Sequence, residues 1–201
     1  MKKEVNPITT SIDTLWTITI FYALYQLNTF RDYWPILIGI LTTLLLINEW
    51  FSVRATFNFY TGPMFFADVF DVFLYICAYS ALKAYGSLTY SNTYWLCLSL
   101  IWFVYFIWDV SVLPFTLDEG AAKSLKKWKY SMLFASIFTF GTYLFFVFHD
   151  LQQLSFHYSL LIQILKYANL IIIVVVLYAW NKKKIATIQK AFHGANLRSE
   201  K

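Results

Sequence analysis

A chain of 201 residues that is 59% hydrophobic and 21% aromatic, with only 13% charged residues, lies far outside the balance of a soluble domain. That composition excludes a fold that hides every apolar run in one core beneath a polar surface, and it points to the bilayer as solvent. The net charge of +5 comes from lysines and arginines placed beside apolar runs, with no separate basic domain, which argues against nucleic acid as a partner.

Six apolar runs follow one another at about residues 11–28, 34–53, 64–84, 93–114, 129–148 and 158–180. Each approaches the ~20 residues with which a helix crosses ~30 Å of hydrocarbon. Stretches such as "ILIGILTTLLLI" and "NLIIIVVVLYAW" do not alternate polar with apolar, so strands of a barrel are rejected. The sequence therefore predicts an all-α, polytopic protein of the cell membrane, a bundle of six transmembrane helices. Residues 1–30 lack a small-x-small cleavage pattern and Asp13 interrupts the start of the first run, so this run is expected to remain as an anchor.

Orientation follows from the cations. Lys2 and Lys3, then Arg54, then Lys123, Lys126, Lys127 and Lys129, and finally Lys182, Lys183, Lys184, Lys190, Arg198 and Lys201 fall on one side of the six runs. The opposite connections hold Arg31 beside Asp32, then Lys83, then no lysine or arginine, so the positive-inside rule places both termini in the cytoplasm. The connections are short and no repeat is visible, giving one transmembrane domain over residues 1–181 and a basic tail over 182–201.

In the connection "LDEGAAKSLKKWK", Gly120 reads as a break before a basic stretch that either lies on the membrane surface or simply stops a span. Ile185, Ile188 and Phe192 in the tail repeat at helical spacing among lysines, the pattern of a short interfacial helix, against a solvated extension. Anionic lipids of the inner leaflet are the expected partners of these basic segments. Tyrosine and tryptophan gather at run ends, as in "RDYW" and "TYW", where amphipathic rings settle at headgroup level. Cys77 and Cys97 both fall inside runs and read as free thiols.

The acids are the anomaly. In "FADVFDVFL", Asp68 and Asp71 interrupt a run otherwise suited to hydrocarbon. With the predicted topology they lie near the inner end of the third span, Asn48 and Glu49 near the inner end of the second, Asp109 near that of the fourth and Asp13 at that of the first. Five of the eleven acidic residues are thus expected in one layer. Helical phase puts Asp68, Asp71 and Tyr75 on one face, and Trp102, Tyr105 and Asp109 on another, with Thr42 and Glu49 aligned on the second span. A charged group facing lipid costs several kcal/mol, so these faces are expected to turn inward. Arg54, five residues past Glu49, is the expected charge partner, and one arginine does not neutralise five carboxylates. Crowded acids then hold a cation or keep protons. The competing structural reading assigns Asp13 and Asp68 to helix N-termini and lets Glu49 and Asp109 reach the interface.

Three functions are consistent with this pattern. The leading expectation is a small channel or transporter, not an enzyme, that moves a cation or protons through a cytoplasm-facing site. The site comprises Glu49, Asp68, Asp71, Asp109 and Asp13, with Arg54 as charge partner and Asn48, Tyr75 and Tyr105 as lining. No cofactor is expected beyond a bound cation. The second is a membrane enzyme that holds a divalent cation for phospholipid or lipid-phosphate chemistry. The third is a non-catalytic subunit or sensor that binds another membrane protein or a second copy of itself. No serine–histidine–acid arrangement, phosphate loop or HExxH motif is visible, and the DxxD of Asp68 and Asp71 lacks flanking glycine and arginine.

Overall fold

The computed structural model describes residues 7–55, 62–83, 88–113, 119–152 and 157–179, and among them there are helices and no strands. The helices are α1 (Pro7–Leu27), α2 (Tyr33–Ala55), α3 (Gly62–Lys83), α4 (Leu88–Val112), α5 (Glu119–Gln152) and α6 (His157–Ala179). Four are long and apolar enough to cross a membrane, over Tyr33–Phe51, Met64–Lys83, Asn92–Ser111 and Ala122–Phe148; in α6 the apolar stretch Gln163–Tyr178 is shorter. The basic tail from 182 lies outside the described residues.

The first helix falls short of a typical span in hydropathy because Thr9, Thr10, Ser11, Asp13, Thr14, Thr17 and Thr19 dilute it. Much of that polarity is turned back onto the helix itself. Ser11, Thr14, Thr17 and Thr19 each donate a hydroxyl to the carbonyl four residues earlier, at 2.7–3.0 Å, which satisfies the hydroxyl without water. Proline opens the helix at Pro7, where its missing N–H has no intrahelical partner to lose. At the other end, the amides of Asn28, Thr29 and Phe30 close tight turns onto the carbonyls of Tyr25, Gln26 and Leu27. The Asp32 carbonyl then accepts from the Ile36 amide as α2 begins, so α1 and α2 form an antiparallel hairpin. Gly39 lets that hairpin close. A Cβ there would stand 2.7 Å from Leu27 Cδ2 and 2.9 Å from Phe30 Cε2.

Gly120 is no break. It lies inside α5, whose 34 residues begin at Glu119, and the basic stretch Lys123–Lys129 continues the helix. At 1.5 Å per residue α5 is about 50 Å long, more than ~30 Å of hydrocarbon needs. Alanine, leucine and lysine around Gly120 favour helix strongly enough to carry it through.

α4 is the central element, packed against α3 on one side and α5 on the other; α1 lies on α3 and α2, and α6 on α2 and, more lightly, α5. The interior is aromatic. Trp16, Trp95, Trp102, Trp108, Tyr75, Tyr79, Tyr94 and Tyr105 are its largest fully buried side chains. Outside, Phe21, Phe66, Phe134 and Ile171 are each more than 60% exposed, whereas Glu49, Asp68, Asp71 and Asp109 are at most 2% exposed. Apolar groups outside and carboxylates inside invert the soluble arrangement, as a hydrocarbon solvent requires.

Candidate functional site

Helix α3 carries Asp68, Asp71, Tyr75 and Tyr79 at steps of three, four and four residues, one stripe of a 3.6-residue helix, and all four are buried. Phe66, Phe70 and Phe73 on the opposite side are exposed. Helix α4 presents Trp102, Tyr105 and Asp109 in the same way, and all three are buried. On α2, Thr42, Thr43 and Glu49 are buried, while Asn48 is half-buried.

Hydrogen bonds between these stripes fix the register. The hydroxyls of Tyr75 and Tyr105 are bonded to each other across α3 and α4. Since the two helices run antiparallel, one turn back on α3 and one turn on along α4 bring Asp71 and Asp109 to a common level. Thr43 Oγ1 pairs with the Tyr79 hydroxyl at 2.5 Å, and Thr42 Oγ1 with the Tyr94 hydroxyl at 2.9 Å. Both threonines also donate backward along α2, to Gly39 O and Ile38 O at 2.8 Å. Glu49 lies within electrostatic reach of Asp68 and Asp71, and Asp68 within reach of Asp71.

Two of these carboxylates hold unsatisfied atoms. Asp68 Oδ2 and Asp71 Oδ1 are buried with no protein hydrogen-bond partner, and so are the donors Trp16 Nε1 and Trp102 Nε1. Trp16 stands edge-on to Tyr75 with ring centroids 6.1 Å apart, and Trp102 edge-on to Tyr105 at 5.7 Å. Asp71, Trp16 and Trp102 thus bring orphaned acceptor and donor atoms to the same tyrosine pair, and each such atom costs about 1–3 kcal/mol.

Asp13 and Arg54 stand apart from this interior. Arg54 grips Asp13 with both prongs, Nε donating to Oδ1 at 2.8 Å and Nη2 to Oδ2 at 2.7 Å, and Trp50 Nε1 donates to Oδ1 at 2.7 Å. The pair is partly open to the surroundings, 47% for Arg54 and 28% for Asp13, and Arg54 also lies over the Trp50 ring. Sequence spacing pointed Arg54 back along its own helix toward Glu49. The antiparallel hairpin instead presents a carboxylate from α1, and a bidentate fork binds it better than a neighbour on one helix allows.

Among the described residues no three His, Cys, Asp or Glu side chains form a grouping able to hold a metal ion. Both cysteines are free. Tyr79, Thr43 and Trp16 are members of the polar interior that sequence reasoning did not single out, and Tyr94 with Trp95, read from "TYW" as headgroup-level anchors, is instead buried in the helix interface. For Tyr79 a signal existed, since it extends the Asp68, Asp71, Tyr75 stripe by one further turn; for Tyr94 and Thr43 none did, because their pairing is between helices. Compared with known protein families, curated proteins and solved structures, the chain matches none.

Proposed function

We propose that the protein is a small integral membrane channel or transporter of the cell membrane that passes a cation or protons through the layer formed by Glu49, Asp68, Asp71 and Asp109. In this reading residues 1–181 form one unit of six transmembrane helices with both termini cytoplasmic, residues 182–201 meet anionic lipid, and the carboxylates face the cytoplasm. α1 and α6 cross with the others, α1 by masking its hydroxyls internally.

The observation that carries the reading is the pair of orphaned oxygens on Asp68 and Asp71, deep in an aromatic interior and beside Glu49. Carboxyls held so close and so dry are stable only with a proton or a cation among them. Arg54, the neighbouring cation, is already committed to Asp13. Reversible loading of such a site is the elementary step of transport.

Purified full-length protein in liposomes tests this. Proton or alkali-cation flux is expected in the parent, and Asp71→Asn is expected to abolish it while the protein still purifies as a folded species. A parent without flux of either kind, or a variant with undiminished flux, overturns the reading and favours a non-catalytic subunit.

A further inference from the structure

Resting on that reading and going beyond it, we infer that the permeant species is the proton, handed from Asp71 into a buried ladder of hydroxyls formed by Tyr75, Tyr105, Tyr79 and Thr43. Asp68, Asp71 and the ladder's Tyr75 and Tyr79 follow one another at successive turns of one buried face of α3. Asp71 lies within electrostatic reach of Tyr75, Tyr75 of Tyr79, and Tyr79 of Tyr94. From Asp68 to Tyr79 the stripe on α3 rises about 16 Å at 1.5 Å per residue, half of the hydrocarbon thickness. Only one more turn, Tyr79 to Lys83, separates its far end from the end of the helix.

Every rung reaches across to another helix. Tyr75 meets Tyr105 of α4, Tyr79 meets Thr43 of α2, and Tyr94 of α4 meets Thr42 of α2. A hydroxyl both donates and accepts, so it takes a proton on its oxygen from the group behind and releases the proton it carried to the group ahead. One proton moves per passage: it enters from Asp71, each hydroxyl takes it on oxygen and gives up the proton it held, and the last hydroxyl releases it to water at the outer end of α3, so that no bond other than O–H is made or broken and nothing is oxidised. Rotation of each hydroxyl then resets the ladder. The Tyr79 hydroxyl, which also donates to the Gly39 carbonyl at 3.2 Å, has a second acceptor between which it turns.

The same geometry disfavours a metal cation. A magnesium or calcium ion needs six or more oxygen ligands, and a potassium ion needs its water shell replaced oxygen by oxygen. Along the ladder Tyr75, Tyr79, Tyr105 and Thr43 are at most 5% exposed, each rung supplies two hydroxyls, and Trp16 and Trp102 close in beside them. A proton requires one oxygen at a time.

The test uses full-length protein in liposomes under a valinomycin-set potassium diffusion potential, with an internal pH dye for protons and a separate sodium-flux assay. The parent is expected to conduct protons at a rate indifferent to the sodium gradient. Tyr75→Phe and Tyr79→Phe keep the rings and delete the relaying oxygens; each is expected to cut proton flux by about a hundredfold, the lower end for loss of a positioned proton-transfer group. Thr43→Val, which leaves every aromatic contact in place, is expected to reduce flux in the same direction and guards against misfolding of the tyrosine variants. Ser99→Ala, in the seam between α4 and α5, is expected to leave flux unchanged. Proton flux undiminished in Tyr75→Phe, Tyr79→Phe and Thr43→Val overturns the ladder, as does sodium or potassium flux that Asp71→Asn abolishes and Tyr75→Phe does not; in both cases the carboxylate site survives. Absence of any flux in the parent overturns both.

Discussion

Two buried polar layers of this protein are built from similar materials and settled in opposite ways. Between α5 and α6, Asn169 accepts from Thr139 Oγ1 at 2.9 Å through its carbonyl oxygen and donates through its amide to Thr142 Oγ1 at 3.0 Å and to Leu165 O at 2.9 Å. Beside it, Ser99 and Ser136 exchange hydroxyl bonds with each other's carbonyls at 2.9 Å. These groups find their partners inside the protein, as polar residues that glue membrane helices should. The layer of Asp68 and Asp71 is just as deeply buried yet retains orphaned atoms. The closed network serves packing; in the proposed reading the open one is where a proton is loaded and released.

That contrast breaks if the two layers respond alike to substitution. Asp71→Asn should cost all flux and raise the thermal midpoint in detergent, because it removes a charge crowded by Glu49 and Asp68; a lower midpoint would show that the carboxylate is a structural member. Asn169→Leu should do the reverse, preserving flux while destabilising by about 1 kcal/mol as Thr139 and Thr142 lose their shared partner. Thermal unfolding beside the liposome assay reads both signs.

Smaller effects sharpen the comparison. Arg54→Gln removes a bidentate but partly exposed ion pair and should weaken the α1–α2 hairpin by about 0.5–1 kcal/mol, an effect that shrinks in high salt. Its flux should stay near the parent's, since Arg54 serves Asp13 and not the inner carboxylates; abolished flux would return Arg54 to the site. Ser99→Ala should shift stability least, by about 0.5 kcal/mol, because Ser136 keeps its bond to the Ser99 carbonyl.

The buried face of α3 was legible in the sequence. Steps of three and four residues put Asp68, Asp71 and Tyr75 on one face, and a low-dielectric surrounding requires that face to turn inward; burial of all three follows from local geometry. The same periodicity ran on to Tyr79. By contrast, nothing along α5 told that Asn169 of α6 would clasp Thr139 and Thr142 while Ser131 stays exposed.

The amino-acid sequence by itself determined the helical class, the apolar exterior and the inward direction of the acids, because composition and a 3.6-residue period act within a single helix. Tertiary structure decided the pairings: Arg54 with Asp13, Tyr75 with Tyr105, Thr43 with Tyr79. Those depend on which helix lies beside which and at what register, and no spacing along one segment encodes the distance to another.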